Sequence, residues 1–170
     1  MDGQSAKIVT VCECIDLCMV FAIWCDDFAN PDPDDMIMSL GRGFDLVSNA
    51  TRLQSFVALR KLDDFFGGEN PRSDDLVASK FGIDEPAVLG GAGKTFLQDA
   101  EREDINKCVV HLTERLSLDL DSEVDLQNII NRSIPVFLNL VAEFRKVDTQ
   151  QGAADWLNRT EVLIKRMQAH

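Results

Sequence analysis

The segment from Ile8 to Cys25 is the strongest constraint on how this 170-residue chain can fold. Ile8, Val11, Ile15, Cys18, Met19, Ala22 and Ile23 recur at intervals of three and four, the spacing of one helix face. So apolar a stretch reads as a secretory signal, a membrane span or a buried helix. No basic region followed by a small-residue cleavage site frames it, which disfavours the signal. Glu13 and Asp16 would lie in the hydrocarbon centre at a cost of roughly 5 kcal/mol between them, which disfavours the span. The expectation is a buried helix over about residues 5–28, stopped by Asn30-Pro31-Asp32-Pro33, in a protein with no membrane attachment.

The same period continues along the chain. Asp32 is a candidate N-cap with Pro33 at the first helical position. Ile37, Leu40, Phe44, Val47, Thr51, Gln54, Ala58, Leu62 and Phe65 then carry a second helix to Gly67-Gly68. Gly41 and Gly43 each cost roughly 1 kcal/mol against alanine and suggest a break near residue 42. Ser73 opens a short helix that Gly82 ends, and 85–93 reads as a loop. Long helices follow over about 94–117, 122–147 with Pro135 bending it, and 152–167. No strand pattern or repeat interrupts them. These features predict an all-α antiparallel bundle of about five helices in one domain, 1–170. The expected core is Val11, Ile15, Met19, Phe44, Val47, Phe56, Leu59, Leu62, Val109, Leu112, Phe137, Leu140, Phe144, Trp156 and Leu163.

Composition narrows the function. Seventeen basic against twenty-nine acidic residues give a net charge of -12, which repels a phosphate backbone and makes nonspecific nucleic-acid binding unfavourable. Five cysteines, an odd number, with no export signal are expected to stay reduced in the cytoplasm. Cys14 and Cys18 on one helix, with Cys108 and His111 on another, have spacings that suit a tetrahedral metal site. The close Cys-x-x-Cys pairs usual in zinc modules are missing, so buried thiols are expected, with no metal and no cofactor. Gly90-Gly91-Ala92-Gly93-Lys94-Thr95 ends like a phosphate-binding loop. Val88, however, stands where that motif needs its first glycine, and Glu85-Pro86-Ala87 is no buried strand. A turn is expected there, and only general anion binding at the start of the following helix, beside Lys94.

The densest cluster of candidate chemistry is Asn106-Lys107-Cys108-Val109-Val110-His111-Leu112-Thr113-Glu114-Arg115, which holds the only internal histidine. On a helix, Asp104, Lys107, Cys108, His111, Glu114 and Arg115 share one face. The alternative for His111 is a hydrogen-bonded packing residue bordering an apolar face. Among the paired carboxylates, Asp63 and Asp64 stand out. They sit late in an apolar helix beside Arg60 and Lys61, where one of them can turn inward toward a histidine or both can pair with bases at the surface.

Phe44-Asp45-Leu46-Val47 and Leu59-Arg60-Lys61-Leu62-Asp63, followed by 104–113, resemble the HEPN superfamily of helical proteins, especially its uncharacterised and abortive-infection-like members. The likeness spans most of the chain. It implies a HEPN-like bundle and, from the family's habit of pairing its motif helices across a cleft, a homodimer. Active members are metal-independent RNases with an arginine four to six residues before the histidine. Here the matching position holds Asn106, and the nearest upstream arginine, Arg102, is nine before His111. In-line cleavage needs a proton carrier, which His111 supplies, and a cation for the developing charge, for which Lys107 and Arg115 are the candidates. Lysine lacks the bidentate fork of arginine, and Arg115 follows the histidine. The resemblance therefore implies a noncatalytic or weakly active protein that binds a nucleotide, RNA or protein partner near His111. The alternatives are a metal-independent RNase with His111 as general acid/base, and a structural module whose acidic surface docks onto a basic partner.

Overall fold

The computed structural model describes residues 2–29, 42–67, 75–114 and 125–168, with the side chains of 26–29, 42–49 and 110–114 outside that description. The described residues form an all-helical bundle: α1 (Gly3–Ala29), α2 (Arg42–Gly67), α3 (Glu85–Leu89), α4 (Asp99–Glu114), α5 (Leu126–Val147) and α6 (Ala154–Gln168), with a 3₁₀ turn over Ala78–Phe81. The anticipated cap at Asp32 and Pro33 lies outside the described residues.

α1 is the central element. Its apolar residues run all round it, and α2, α5 and α6 pack against it. It is long and apolar enough to cross a membrane, but 61% of that stretch is buried by the rest of the protein. Ile8, Cys12, Ile15, Cys18, Met19 and Ala22 are fully buried. The two carboxylates that argued against a membrane span have separate fates. Glu13 faces solvent, whereas Asp16 is buried and accepts a hydrogen bond of 2.7 Å from the Thr160 hydroxyl of α6.

α5 is amphipathic, burying Ile130, Phe137, Leu140 and Phe144 and exposing its polar face. Its N-cap is Asp125, whose carboxylate accepts from Asn128 N–H, so the helix begins at Leu126 and not at Ser122. Pro135 sits inside it on the exposed side. Asp148 then closes α5 and turns the chain. Its buried carboxylate accepts from Ala153 N–H at 2.8 Å and from the Ser5 hydroxyl of α1 at 2.9 Å. Gln151 takes the left-handed conformation that the turn needs (φ 55°).

A chain of rings fills the centre between α2, the 3₁₀ turn and α5. Phe65 lies 5.8 Å from Phe81 and 6.1 Å from Phe144, and Phe81 lies 5.5 Å from Phe144, in the tilted and edge arrangements that aromatic rings prefer. Nine of the expected core residues are buried: Val11, Ile15, Met19, Phe56, Leu59, Leu62, Phe137, Leu140 and Phe144. Val109, Trp156 and Leu163 are only half-buried against the core, and the side chains of Phe44, Val47 and Leu112 are not described.

Two further boundaries differ from expectation. Residues 85–93, expected as a loop, begin with α3. The Asp84 carboxylate accepts from Ala87 N–H, Pro86 presets the first turn, and Gly90 ends it in the left-handed region (φ 81°). The next helix starts at Asp99 rather than Lys94, because Phe96 and Leu97 are drawn into the core in a non-helical bend. Truncating the ring hub tests this account: Phe144→Ala should lower the unfolding free energy in urea by about 3–5 kcal/mol, the cost of emptying a fully packed aromatic site.

Candidate functional site

The geometry around the first half of α4 is set by Asp63, near the end of α2. Asp63 is only 7% exposed, so its charge must be met inside the protein. Its Oδ1 accepts from Leu97 N–H at 3.3 Å and from Arg102 Nη2 at 3.1 Å, and its Oδ2 accepts from Arg102 Nε at 2.6 Å. The fork of one arginine thus meets both carboxylate oxygens. Arg102 also donates to Asp99 Oδ1 at 2.9 Å and to the Leu97 carbonyl at 3.3 Å. The hydrogen bonds it donates to Asp63 push the Arg102 guanidinium further toward its charged form. Of the two possibilities for Asp63, the inward one is realised, and its partner is an arginine instead of a histidine. Asp64 is exposed.

Arg60, Asp63, Asp64, Leu97, Arg102, Ile105 and Asn106 enclose a small cleft of ≈ 40 Å³, about the room of one ordered water. Beside it, the Glu101 carboxylate caps the start of α4 by accepting from Gln98 N–H at 2.8 Å, and it pairs with Arg132 of α5. The cleft therefore lies between α2 and α4, and the Glu101–Arg132 pair beside it ties α4 to α5.

The candidate residues of the sequence divide across this joint. Asn106 is half-buried on the wall of the cleft. Lys107 is exposed on the opposite edge of α4, 2.8 Å from Glu103 and 3.8 Å from Asp104. The bond to Glu103 raises the lysine's pKa above its ordinary value and lowers that of Glu103. His111 lies within α4, with its side chain outside the described residues, and Arg115 lies outside them altogether. Cys108 is half-buried against the core. The expected common face is therefore graded: Asp104 and Lys107 meet solvent, and Cys108 turns toward the interior.

Sequence reasoning missed Arg102 as the partner of Asp63. The usable signal was a carboxylate four residues after Leu59 and three before Phe66, on the apolar face of a helix where it demands a buried cation, together with an arginine at the start of the next long helix. Arg102 is nine residues before His111, which on a straight helix places the two positions on opposite faces and about 13.5 Å apart along the axis. Arg102 therefore does not restore an arginine–histidine pair within one chain.

The glycine-rich loop is a compact turn. Gly90, Gly91 and Gly93 all have positive φ, and the Lys94 side chain folds back over Gly90 and Gly91. No helix starts at Lys94. The next one begins with Asp99 and Glu101 in its first turn, charges that repel a phosphate, so the anticipated anion site at this helix start is not formed. Among the described residues no three cysteine, histidine or carboxylate groups converge to hold a metal. Burial keeps the α1 thiols protonated, with Cys12 pushed up to about 12 and Cys18 also raised.

No family model, curated protein or solved structure matches the chain.

Removing Arg102 leaves the Asp63 charge buried with only Leu97 N–H to meet it. Arg102→Ala should lower stability by about 1–3 kcal/mol in urea denaturation. The Arg102→Ala, Asp63→Ala pair should cost less than the two single changes added together, the signature of coupled partners.

Proposed function

We propose that this chain is a noncatalytic, HEPN-like helical module that binds a basic protein partner along the exposed edge of α4 around His111. The observation that carries the reading is the state of the cations on α4. Arg102 is consumed by Asp63, Asp99 and the Leu97 carbonyl, and Lys107 by Glu103 and Asp104. A site for RNA cleavage needs a cation directed at the scissile phosphate. Both groups are instead directed at carboxylates of the same chain, and the exposed residues around them include the acidic Asp64, Asp99, Glu103 and Asp104.

The reading also accounts for Asn106. In active members of the superfamily that the sequence resembles, an arginine stands at the corresponding position. Asn106 is half-buried next to the Asp63–Arg102 pair, where a second guanidinium would crowd the first. Support for the fold and loss of the catalytic cation are then two aspects of one arrangement. Pairing of two copies through α4, as the resemblance implies, belongs to the same proposal. It requires an apolar contact large enough to overcome a charge of -12 on each chain.

Binding of a lysine-rich peptide and of a single-stranded RNA oligonucleotide, measured side by side at about 0.15 M ionic strength, tests the reading. The peptide should bind, more weakly as salt rises, and Glu103→Lys and Asp104→Lys should each weaken it roughly two- to fivefold. The RNA should be neither bound nor cut. Metal-independent RNA cleavage that disappears in His111→Ala would replace this reading by the RNase one.

A further inference from the structure

Two buried carboxylates fasten α6 to the rest of the bundle, and they are not equivalent. Asp148, at the entry to α6, has both oxygens satisfied, by the Ser5 hydroxyl and by Ala153 N–H. Asp16, in the middle of α1, has one oxygen satisfied. Its Oδ1 accepts from the Thr160 hydroxyl at 2.7 Å, while its Oδ2 is buried without a hydrogen-bond donor. The nearest cation is Arg159 Nε, 3.4 Å from Oδ2, in a side chain that is 61% exposed and lies over the Trp156 ring at 5.2 Å. The arginine is shared between an aromatic face, solvent and the carboxylate, and it does not close the bond.

We propose that Asp16 makes the seating of α6 on α1 proton-linked: α6 closes more tightly when Asp16 is neutral and loosens when it is ionised.

The argument rests on where the charge sits. Asp16 is 6% exposed, so ionisation places a charge with one unpaired oxygen in the apolar joint between Ile15, Met19, Leu157 and Ile164. Neutralisation removes that cost and leaves the Thr160 hydrogen bond an oxygen to go to. The groups that act on the carboxyl are few. Burial raises its pKa above the ordinary aspartate value, and Glu13 on α1 adds to the rise. Thr160 and Arg159, both from α6, oppose it. Cys12, the other titratable group near Thr160, stays a neutral thiol because burial pushes it up to about 12. Among the described residues α2 and α5 contribute no charge to the balance.

The sign follows from linkage. A carboxyl whose docked pKa lies above its free one contributes docking stability that is fully present below the free value and is lost as pH rises through the docked value. The clasp is therefore closed in mild acid. Opening it uncovers Leu157 and Ile164 together with the α1 face beneath them.

Amide hydrogen exchange of α6, corrected for intrinsic rates and followed from about pH 4 to pH 8, reads the clasp directly. In the wild type, protection of α6 relative to α5 should rise on acidification, by about tenfold for each pH unit that separates the docked from the free pKa. Asp16→Asn should remove the pH dependence and hold α6 at neutral pH as firmly as the wild type does in acid. Thr160→Val removes a bond that favours the ionised form and should move the transition to higher pH. Arg159→Gln changes an exposed residue that leaves the core intact, and should do the same. Protection of α6 that is independent of pH, or an equal loss of protection at every pH in Asp16→Asn, would overturn the proposal. So would a carbon-13 titration that puts the Asp16 carboxyl at or below the ordinary aspartate range.

Discussion

A carboxylate cannot be left ionised in an apolar interior without a counter-charge, and much of the α2–α4–α5 arrangement is the answer to that requirement at Asp63. The neighbours Leu62, Phe65 and Phe66 commit this turn of α2 to the core. Asp63 goes in with them and draws Arg102 against it in a two-oxygen grip. The same carboxylate takes Leu97 N–H in the bend before α4, where the side chains of Phe96 and Leu97 both enter the core. The start of α4 follows, because Gln98 N–H is then capped by Glu101, whose other contact is Arg132 on α5. One buried charge thus sets the position of a helix, its first residue and its connection to a third element.

α1 and α6 are joined by a different logic. α1 exposes only a narrow stripe through Lys7, Thr10, Glu13 and Val20, and a helix so largely apolar can rotate within a bundle at little cost in burial. Directional bonds remove that freedom. Ser5 to Asp148 fixes one end of α1, Ser55 to the Leu17 carbonyl fixes it against α2, and Asp16 to Thr160 fixes it against α6. The polar residues that break the apolar run in the sequence are the ones that give the helix a unique setting in the structure.

How much of this was legible depends on whether the information is local. The helical class was, because intervals of three and four repeat from Ile8 to Met167 with glycine and proline between the runs. The burial of α1 was also readable, from Glu13 and Asp16 within it. The boundaries near 85 and 94 were not. Glu85-Pro86-Ala87-Val88-Leu89 is too short to show a period, and the start of α4 is decided by Asp63, more than thirty residues earlier in the chain. The partner of Asp63 was hidden for the same reason: a long-range ion pair leaves no spacing rule in a single sequence. The helix around His111 was legible from its local period, since α4 contains that position, while Arg115 and the His111 side chain lie outside the described residues.

The arrangement of α4 also constrains what chemistry can be built on it. A helix advances about 100° per residue, so the three-residue step from Asn106 to Val109 and the four-residue step from Lys107 to His111 define two stripes. The stripe through Arg102, Ile105, Asn106 and Val109 faces the bundle, where burial and the grip of Asp63 fix it. The stripe through Glu103, Asp104 and Lys107 faces outward and continues in register to position 111. A cation for phosphate chemistry beside position 111 has therefore to come from the outward stripe or from another molecule, because the inward arginine is on the wrong side of the helix and already bonded. On the outward stripe the described cation is Lys107, placed between two carboxylates that it would have to leave before it met a phosphate. A basic partner exchanges its own cation for the solvent-exposed Lys107 at the same two carboxylates, so Glu103 and Asp104 stay paired, whereas drawing Lys107 onto a phosphate would leave both without it.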